Sequence, residues 1–313
     1  MTWSSTEVGV LARAVSRAPS VHNTQPWTLE ARADAADLYE RFEVTLPRHD
    51  PTGRDRVISC GAALANLELA IRTLGWDVAV SLFPDQRRPD LVARMTAIGR
   101  KEATGREVDQ YSAIFRRESY RAPFSLHQIP PHSLRELAES GGTPGTEARP
   151  IDRRGESGAL AELLGYAGEV LHDDRAYQRE LTAWSAQFPE PFRDVSTLPW
   201  TGLVRDATHL PDTITLTERL MAEGLLVVLT KDDTRRDHLS AGIAMERIWL
   251  TAITHGLVGS VLTQPLHLPE VRSGLIERLG LPGYPQLILR LGYPVTATPA
   301  AAPAAIAARP EES

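Results

Sequence analysis

Cysteine is nearly absent from this 313-residue chain: Cys60 is the only one. One thiol forms no internal disulfide and suits a reducing compartment. Aromatic residues are sparse at 6%. No apolar run approaches the roughly 20 residues needed to cross a bilayer, and Met1-Thr2-Trp3-Ser4 lacks the basic and apolar regions of a signal peptide, so a cytoplasmic location is expected. Basic excess is also missing. The formal net charge of -6 argues against a general nucleic-acid binder, which needs a basic face for phosphates. The nine histidines show no spacing that would place two zinc ligands on one helix face with a cysteine or carboxylate partner, and no metal is expected. There is no Gly-x-Ser-x-Gly elbow and no Gly-rich nucleotide loop. What remains is a 42% hydrophobic chain, enough for one large domain or two ordinary ones.

The densest local signal runs from Ala18 to Trp27, Ala-Pro-Ser-Val-His-Asn-Thr-Gln-Pro-Trp. Upstream, Ser4 and Glu7 have capping-box spacing, and Val8, Leu11 and Val15 share a face, which predicts a helix from Ser5 to about Arg17 ended by Pro19. Downstream, Trp27–Glu30 has strand character and is expected to pair with Phe42–Leu46. A Pro-rich turn held by its own Ser and Asn side chains would account for any two of the loop residues.

Two stretches 181 positions apart are alike. Gly61-Ala62-Ala63-Leu64 through Leu69, Thr73 and Gly75 parallels Gly242-Ile243-Ala244-Met245 through Leu250, Thr254 and Gly256. Each predicts a helix closed by a glycine and followed by a strand, with Val80 aligned to Val261. Further strands are expected at Trp76–Phe83, Val92–Ile98, Leu225–Thr230 and Gln286–Gly292. The pattern suggests a tandem α+β repeat with a boundary near 105–115: residues 1–110 as the first half, 111–295 as the second, and an Ala/Pro-rich tail at 296–313 expected to be disordered. Residues 187–212 show no clean period and carry Phe188, Phe192 and Trp200, which fits either a lid or an arm filling the interface.

The string Pro-Ser-x-x-Asn-x-Gln-Pro-Trp resembles the flavin-contacting loop of the nitroreductase superfamily, and Arg117-Glu118-Ser119-Tyr120-Arg121 resembles its Arg-x-Ser-x-Arg phosphate motif. From about Leu11 to Tyr293 the layout is similar to the Acg family of single-chain FMN-binding relatives. The resemblance implies an α+β nitroreductase-like fold duplicated in tandem to form an intrachain pseudo-dimer. Because each half carries one of the two motifs, it also implies a single FMN site, in a chain that could be monomeric. Pro19, Ser20, His22, Asn23 and Gln25 would lie along the cofactor, although Gln25 and Trp27 fit loop-fixing roles better, and a histidine in a tight turn is more often a structural hydrogen-bonder. Arg117, Ser119 and Arg121 would hold the phosphate with forked, charge-assisted donors. Leu262, Thr263 and Gln264 would pass near flavin N5. Arg54 occupies a family-like position, but read alone it is equally a surface arginine after a turn.

The implied activity is FMN-dependent oxidoreduction, with hydride passing through flavin N5 between NAD(P)H and a small organic substrate. The alternative is an FMN-storage protein with a closed site and no turnover. Because the flavin carries the redox chemistry, no catalytic acid or base is nominated. One departure stands out: the Pro-Arg-Arg segment that tends to follow the last strand in relatives is replaced by Thr298-Pro299-Ala300-Ala301.

Overall fold

The computed structural model describes residues 2–187, 204 and 209–295. Helix α1 (Ser5–Ser16) starts at the predicted Ser4/Glu7 capping box and buries Leu11, Ala14 and Val15. A short 3-10 turn at Val21–Asn23 leads into strands β1 (Trp27–Arg32) and β2 (Ala35–Glu40), followed by α2 (Arg54–Thr73), β3 (Trp76–Leu82) and β4 (Leu91–Arg100). These strands form an antiparallel sheet in the order β1-β2-β4-β3.

The chain continues through α3 (Gly105–Ile114), α4 (Pro131–Glu139), β5 (Thr146–Pro150), α5 (Ser157–Asp173), α6 (Arg175–Gln187) and α7 (Thr213–Ala222). Then come β6 (Gly224–Thr230), α8 (Arg235–Thr254), β7 (Val258–Leu262), α9 (Pro269–Leu279) and β8 (Tyr284–Gly292). The second sheet repeats the first in the order β5-β6-β8-β7, again antiparallel throughout. This is a duplicated α+β fold. The main difference is what joins the first two strands of each sheet. A turn at Ala33–Asp34 suffices in the first, whereas the second inserts α5, α6 and α7.

Helices α2 and α8 form the spine. Both span 20 residues, start 181 positions apart, and are followed by left-handed glycines, Gly75 at φ 81° and Gly256 at φ 75°. They cross at Gly61 and Gly242. A Cβ on Gly61 would lie 2.1 Å from the Leu239 carbonyl oxygen, and one on Gly242 would lie 2.0 Å from that of Ile58. The same 181-residue offset relates Ile58 to Leu239, so the contact is reciprocal, as at a two-fold axis between identical subunits.

The second sheet is covered on both faces. Leu226, Val228, Leu287 and Leu289 join the core around α2 and α8, while Val227, Leu229 and Ile288 pack with α5, α7 and α9. Burial on both sides explains why β6, Gly-Leu-Leu-Val-Val-Leu-Thr, is apolar without alternation. In the first sheet Val80 and Ile98 remain exposed.

One expected strand is absent. β1 pairs with Ala35–Glu40 rather than with Phe42–Leu46, which forms an irregular connection. The turn with Ala33 at φ 44° brings the chain back earlier than its alternation suggests. Phe42 instead sits near two guanidinium groups, 5.7 Å from Arg56 and 5.4 Å from Arg235. Position 110, expected to divide the halves, falls inside α3. Most of the 187–212 segment and all of 296–313 lie outside the described residues. Among the described residues, no helix is long and apolar enough to cross a membrane.

Candidate functional site

The loop after α1 carries unusual backbone strain. His22, Asn23 and Gln25 have φ of 47°, 56° and 45°. Left-handed backbone at a non-glycine residue costs roughly 1 to 2 kcal/mol, so three such residues need external support. Ser20 Oγ accepts the Gln25 N–H at 3.0 Å, Ser59 Oγ on α2 accepts the Val21 N–H at 3.2 Å, and the Thr24 hydroxyl donates to the Val21 carbonyl at 2.8 Å. Gln25 donates through its side chain to the Ser16 carbonyl at 3.3 Å, so it ties the loop to α1.

The segment bearing the arginine motif lies along β7. The Tyr120 N–H donates to the Gly259 carbonyl at 2.7 Å, and Ser119 forms an isolated parallel bridge with Gly259. This contact brings Ser119 and Arg121 to the same cleft as Pro19, Ser20 and His22. The cleft has about 720 Å³ of empty space, part of it open to solvent. Its apolar lining comes from Ile58 on α2, Met245 and Trp249 on α8, and Val261 on β7; Thr263 and Gln264 line it after β7. Pro19, Ser20 and His22 of the first motif and Ser119 and Arg121 of the second therefore converge from both repeats at the crossing of the duplicated helices. A hollow between α3, α4 and the end of α8 is larger, about 1340 Å³ with its open part, but contains none of them.

Not every predicted residue reaches the cleft. Asn23 and Gln25 do not line it. Leu262 is fully buried in the outer core of the second sheet. Arg117 turns inward: its Nε lies 3.4 Å from Glu246 Oε1, its guanidinium lies 4.7 Å from the Trp249 ring, and Nη2 donates to the Arg17 carbonyl at 2.7 Å. Burial pushes the Glu246 carboxyl up to about 7 despite the neighbouring guanidinium. Arg54, 3% exposed, acts as a strut, donating to the Thr263 carbonyl at 3.1 Å and the Leu266 carbonyl at 3.2 Å. It fixes the turn after β7 against the start of α2.

Several groups around this strut were not evident in the sequence. Asp55 lines the cleft; it lies 3.2 Å from Arg54 and 3.0 Å from His267, and accepts a 3.2 Å hydrogen bond from Gln264 Nε2. Burial alone would raise its carboxyl, but His267 and Arg54 hold it well below the usual range. Asp50 accepts the backbone N–H groups of Asp55 and Arg56, satisfying the first turn of α2; burial and the nearby Asp55 charge push it up to about 6. Asp50, Asp55 and His267 offer ligand atoms within 4.8 Å of one another. Both carboxylates accept N–H donors: backbone groups at Asp50, and the Arg54 and Gln264 side chains at Asp55. His49, fully buried behind the loop, lies 2.7 Å from His22. The duplicated helices were the available signal for Ile58, Ser59, Met245 and Trp249, because a cleft between repeats must be lined by their crossing.

No family model matches the chain. Individual proteins do. "Putative NAD(P)H nitroreductase Rv3131" of Mycobacterium tuberculosis is 31% identical over 306 residues, covering 93% of this chain and 86% of that protein. "Putative NAD(P)H nitroreductase acg" of the same organism is 27% identical over 295 residues, covering 88% and 86%. Among solved structures, a nitroreductase with bound FMN from Bacteroides fragilis overlays 65% of this chain and 98% of its own at 16% identity and a TM-score of 0.42. The FMN-dependent nitroreductase NfnB from Mycobacterium smegmatis, in complex with NADPH, overlays 60% and 88% at 15% identity and a TM-score of 0.41. These two structures are distant likenesses. The sequence similarity to Rv3131 extends over almost the whole chain, and the chain belongs to the NAD(P)H nitroreductase family.

Proposed function

We propose that this chain is an FMN-dependent oxidoreductase of the nitroreductase type, with one flavin site per chain formed between its two repeats. The carrying observation is the convergence of Pro19, Ser20 and His22 with Ser119, Arg121, Thr263 and Gln264 in one cleft. The residues fit the cofactor chemically. Arg121 and the Ser119 hydroxyl supply donors for a phosphate, Ile58, Met245 and Val261 supply apolar surface for a ring system, and the left-handed loop holds Ser20 and His22 in fixed positions.

Bound there, a flavin would supply reversible hydride chemistry at N5, with NAD(P)H as reductant and a small organic molecule as acceptor. The protein's part is to orient the ligand and limit access. Arg54 and Gln264 brace the turn after β7, and Glu246 and Arg117 stabilise the layer behind Trp249. The second repeat starts best at Thr104, which caps α3 through Glu107 as Ser4 caps α1 through Glu7. The buried thiol of Cys60 accords with a reducing, cytoplasmic compartment.

The test is equilibrium titration of purified protein with FMN, followed by flavin fluorescence and checked by the amount retained after gel filtration. One FMN per chain is expected. Two per chain would contradict the single-site assignment, and none would remove the flavin reading.

A further inference from the structure

His22 and His49 form a short relay whose proton positions follow from its far end. The His49 ring stacks on Tyr177 of α6, with centroids 3.9 Å apart and planes 11° apart, and its Nε2 lies 3.1 Å from the Tyr177 backbone carbonyl. A carbonyl oxygen only accepts, so His49 carries its proton on Nε2. His49 is fully buried, and burial disfavours a second proton on its ring. Its Nδ1 is therefore a bare lone pair. At 2.7 Å from His22 Nε2, it must accept the Nε2–H of His22. A neutral His22 then has a bare Nδ1, with no hydrogen-bond partner among the described residues, on a ring that lines the cleft.

We propose that His22 is a neutral hydrogen-bond acceptor facing the cleft, and that His49 is the positioning residue that fixes its tautomer. Its ligand partner is an N–H or O–H donor; identifying that donor as the imide or a hydroxyl of a flavin rests on the function proposed above. His22 accordingly accepts a hydrogen bond rather than supplying the proton for a reduction.

The charges facing the pair do not reverse this assignment. Asp55 on α2 favours protonation of either ring, as Glu180 on α6 does for His49, while Arg121 opposes it at His22 and His267 opposes it at His49. Glu180 is engaged elsewhere, accepting the backbone N–H groups of Arg48 at 3.1 Å and His49 at 3.0 Å. Burial outweighs these charges and holds His22 down to about 3. The relay also joins the repeats: α6, from the insertion in the second, fixes a histidine of the first, which in turn fixes the strained loop.

The deciding experiment is a two-bond ¹H–¹⁵N spectrum of ¹⁵N-histidine-labelled, ligand-free protein from pH 5 to 8. The proposal expects His22 as the Nε2–H tautomer throughout. His49→Phe removes the acceptor and is expected to release the tautomer, so that the Nδ1–H form of His22 appears beside the Nε2–H form while burial keeps the ring neutral. Tyr177→Phe keeps the stacked ring and the carbonyl and is expected to change nothing. In the unaltered protein, a proton on His22 Nδ1, or titration of His22, would overturn the assignment whether or not His49→Phe folds.

FMN affinity tests the acceptor role separately. His22→Phe is expected to lower it about tenfold, and His22→Asn, which tolerates left-handed backbone and presents an amide oxygen, to restore most of the loss. Unchanged affinity in His22→Phe would overturn the acceptor role. Failure of the unaltered protein to bind FMN would instead remove the flavin as the ligand, while the spectrum still decides the tautomer.

Discussion

Gly61 and Gly242 touch at the crossing of α2 and α8, each occupying space that a side chain would take from the other helix's backbone. The contact is the centre of the duplication. Above it lies the cleft, to which α2 contributes Ile58 and α8 contributes Met245. Separating the helices would therefore disturb both the core and the candidate site.

Gly61→Ala and Gly242→Ala should each destabilise the protein by about 2 kcal/mol or more, since the added methyl meets a carbonyl oxygen near 2 Å and overpacking typically costs 1 to 3 kcal/mol. Urea unfolding checks this. Alanine at Gly158, where a Cβ meets nothing within 4 Å, is the control and should change stability little.

The two arginines of the 117–121 motif should separate experimentally. Arg121→Gln should weaken FMN binding about tenfold to a hundredfold, the value of one charge-assisted hydrogen bond. Arg117→Met should act mainly on stability, by about 1 to 3 kcal/mol, because it removes the partner of buried Glu246, the contact with the Trp249 ring and the hydrogen bond to the Arg17 carbonyl. Parallel binding and unfolding curves distinguish the two effects.

Glu246 also gives a pH signature. Its folded value, about 7, lies above the ordinary carboxyl value of 4.5, so between these limits the folded state holds a proton that the unfolded state has lost. Its contribution to stability is full below about pH 4.5 and declines as pH rises through 7. The stability of the unaltered protein, relative to Glu246→Gln, should fall over that window. A constant difference between the two from pH 4.5 to 8 would show that Glu246 does not titrate there.

Cys60 should be inert in the native state. It is fully buried, its thiol contacts the Pro26 carbonyl at 3.4 Å, and burial pushes its pKa well above the ordinary value. An aromatic disulfide reagent should react with it only on unfolding, at the rate at which the protein opens.

Much of this architecture was legible in the sequence because it is written in local chemistry. The Ser4/Glu7 box starts α1 as expected, and the 181-residue spacing identified the two spine helices with their terminal glycines. β2 was hidden because Ala35-Ala36-Asp37-Leu38-Tyr39-Glu40 has little strand propensity; Asp37 is buried there as the partner of Arg94, a tertiary fact. Phe42–Leu46 alternates convincingly, yet the early turn gives its place beside β1 to Ala35–Glu40, and only Leu46 bridges, to Asp50. The site divides similarly. Pro19, Ser20, His22, Ser119, Arg121, Thr263 and Gln264 meet in the cleft, whereas Arg117 is drawn inward by Glu246, 129 positions away. His49 had no local motif at all, since its role depends on a carbonyl 128 positions further on.

The most direct measurement of the central claim is anaerobic absorbance of the FMN-reconstituted protein mixed with NADPH or NADH. The account predicts that the oxidised-flavin band bleaches on mixing with one of them and returns when a quinone or nitroarene is added. Stoichiometrically bound flavin that stays oxidised with both nucleotides would contradict an NAD(P)H-driven oxidoreductase and leave a protein that only holds its flavin.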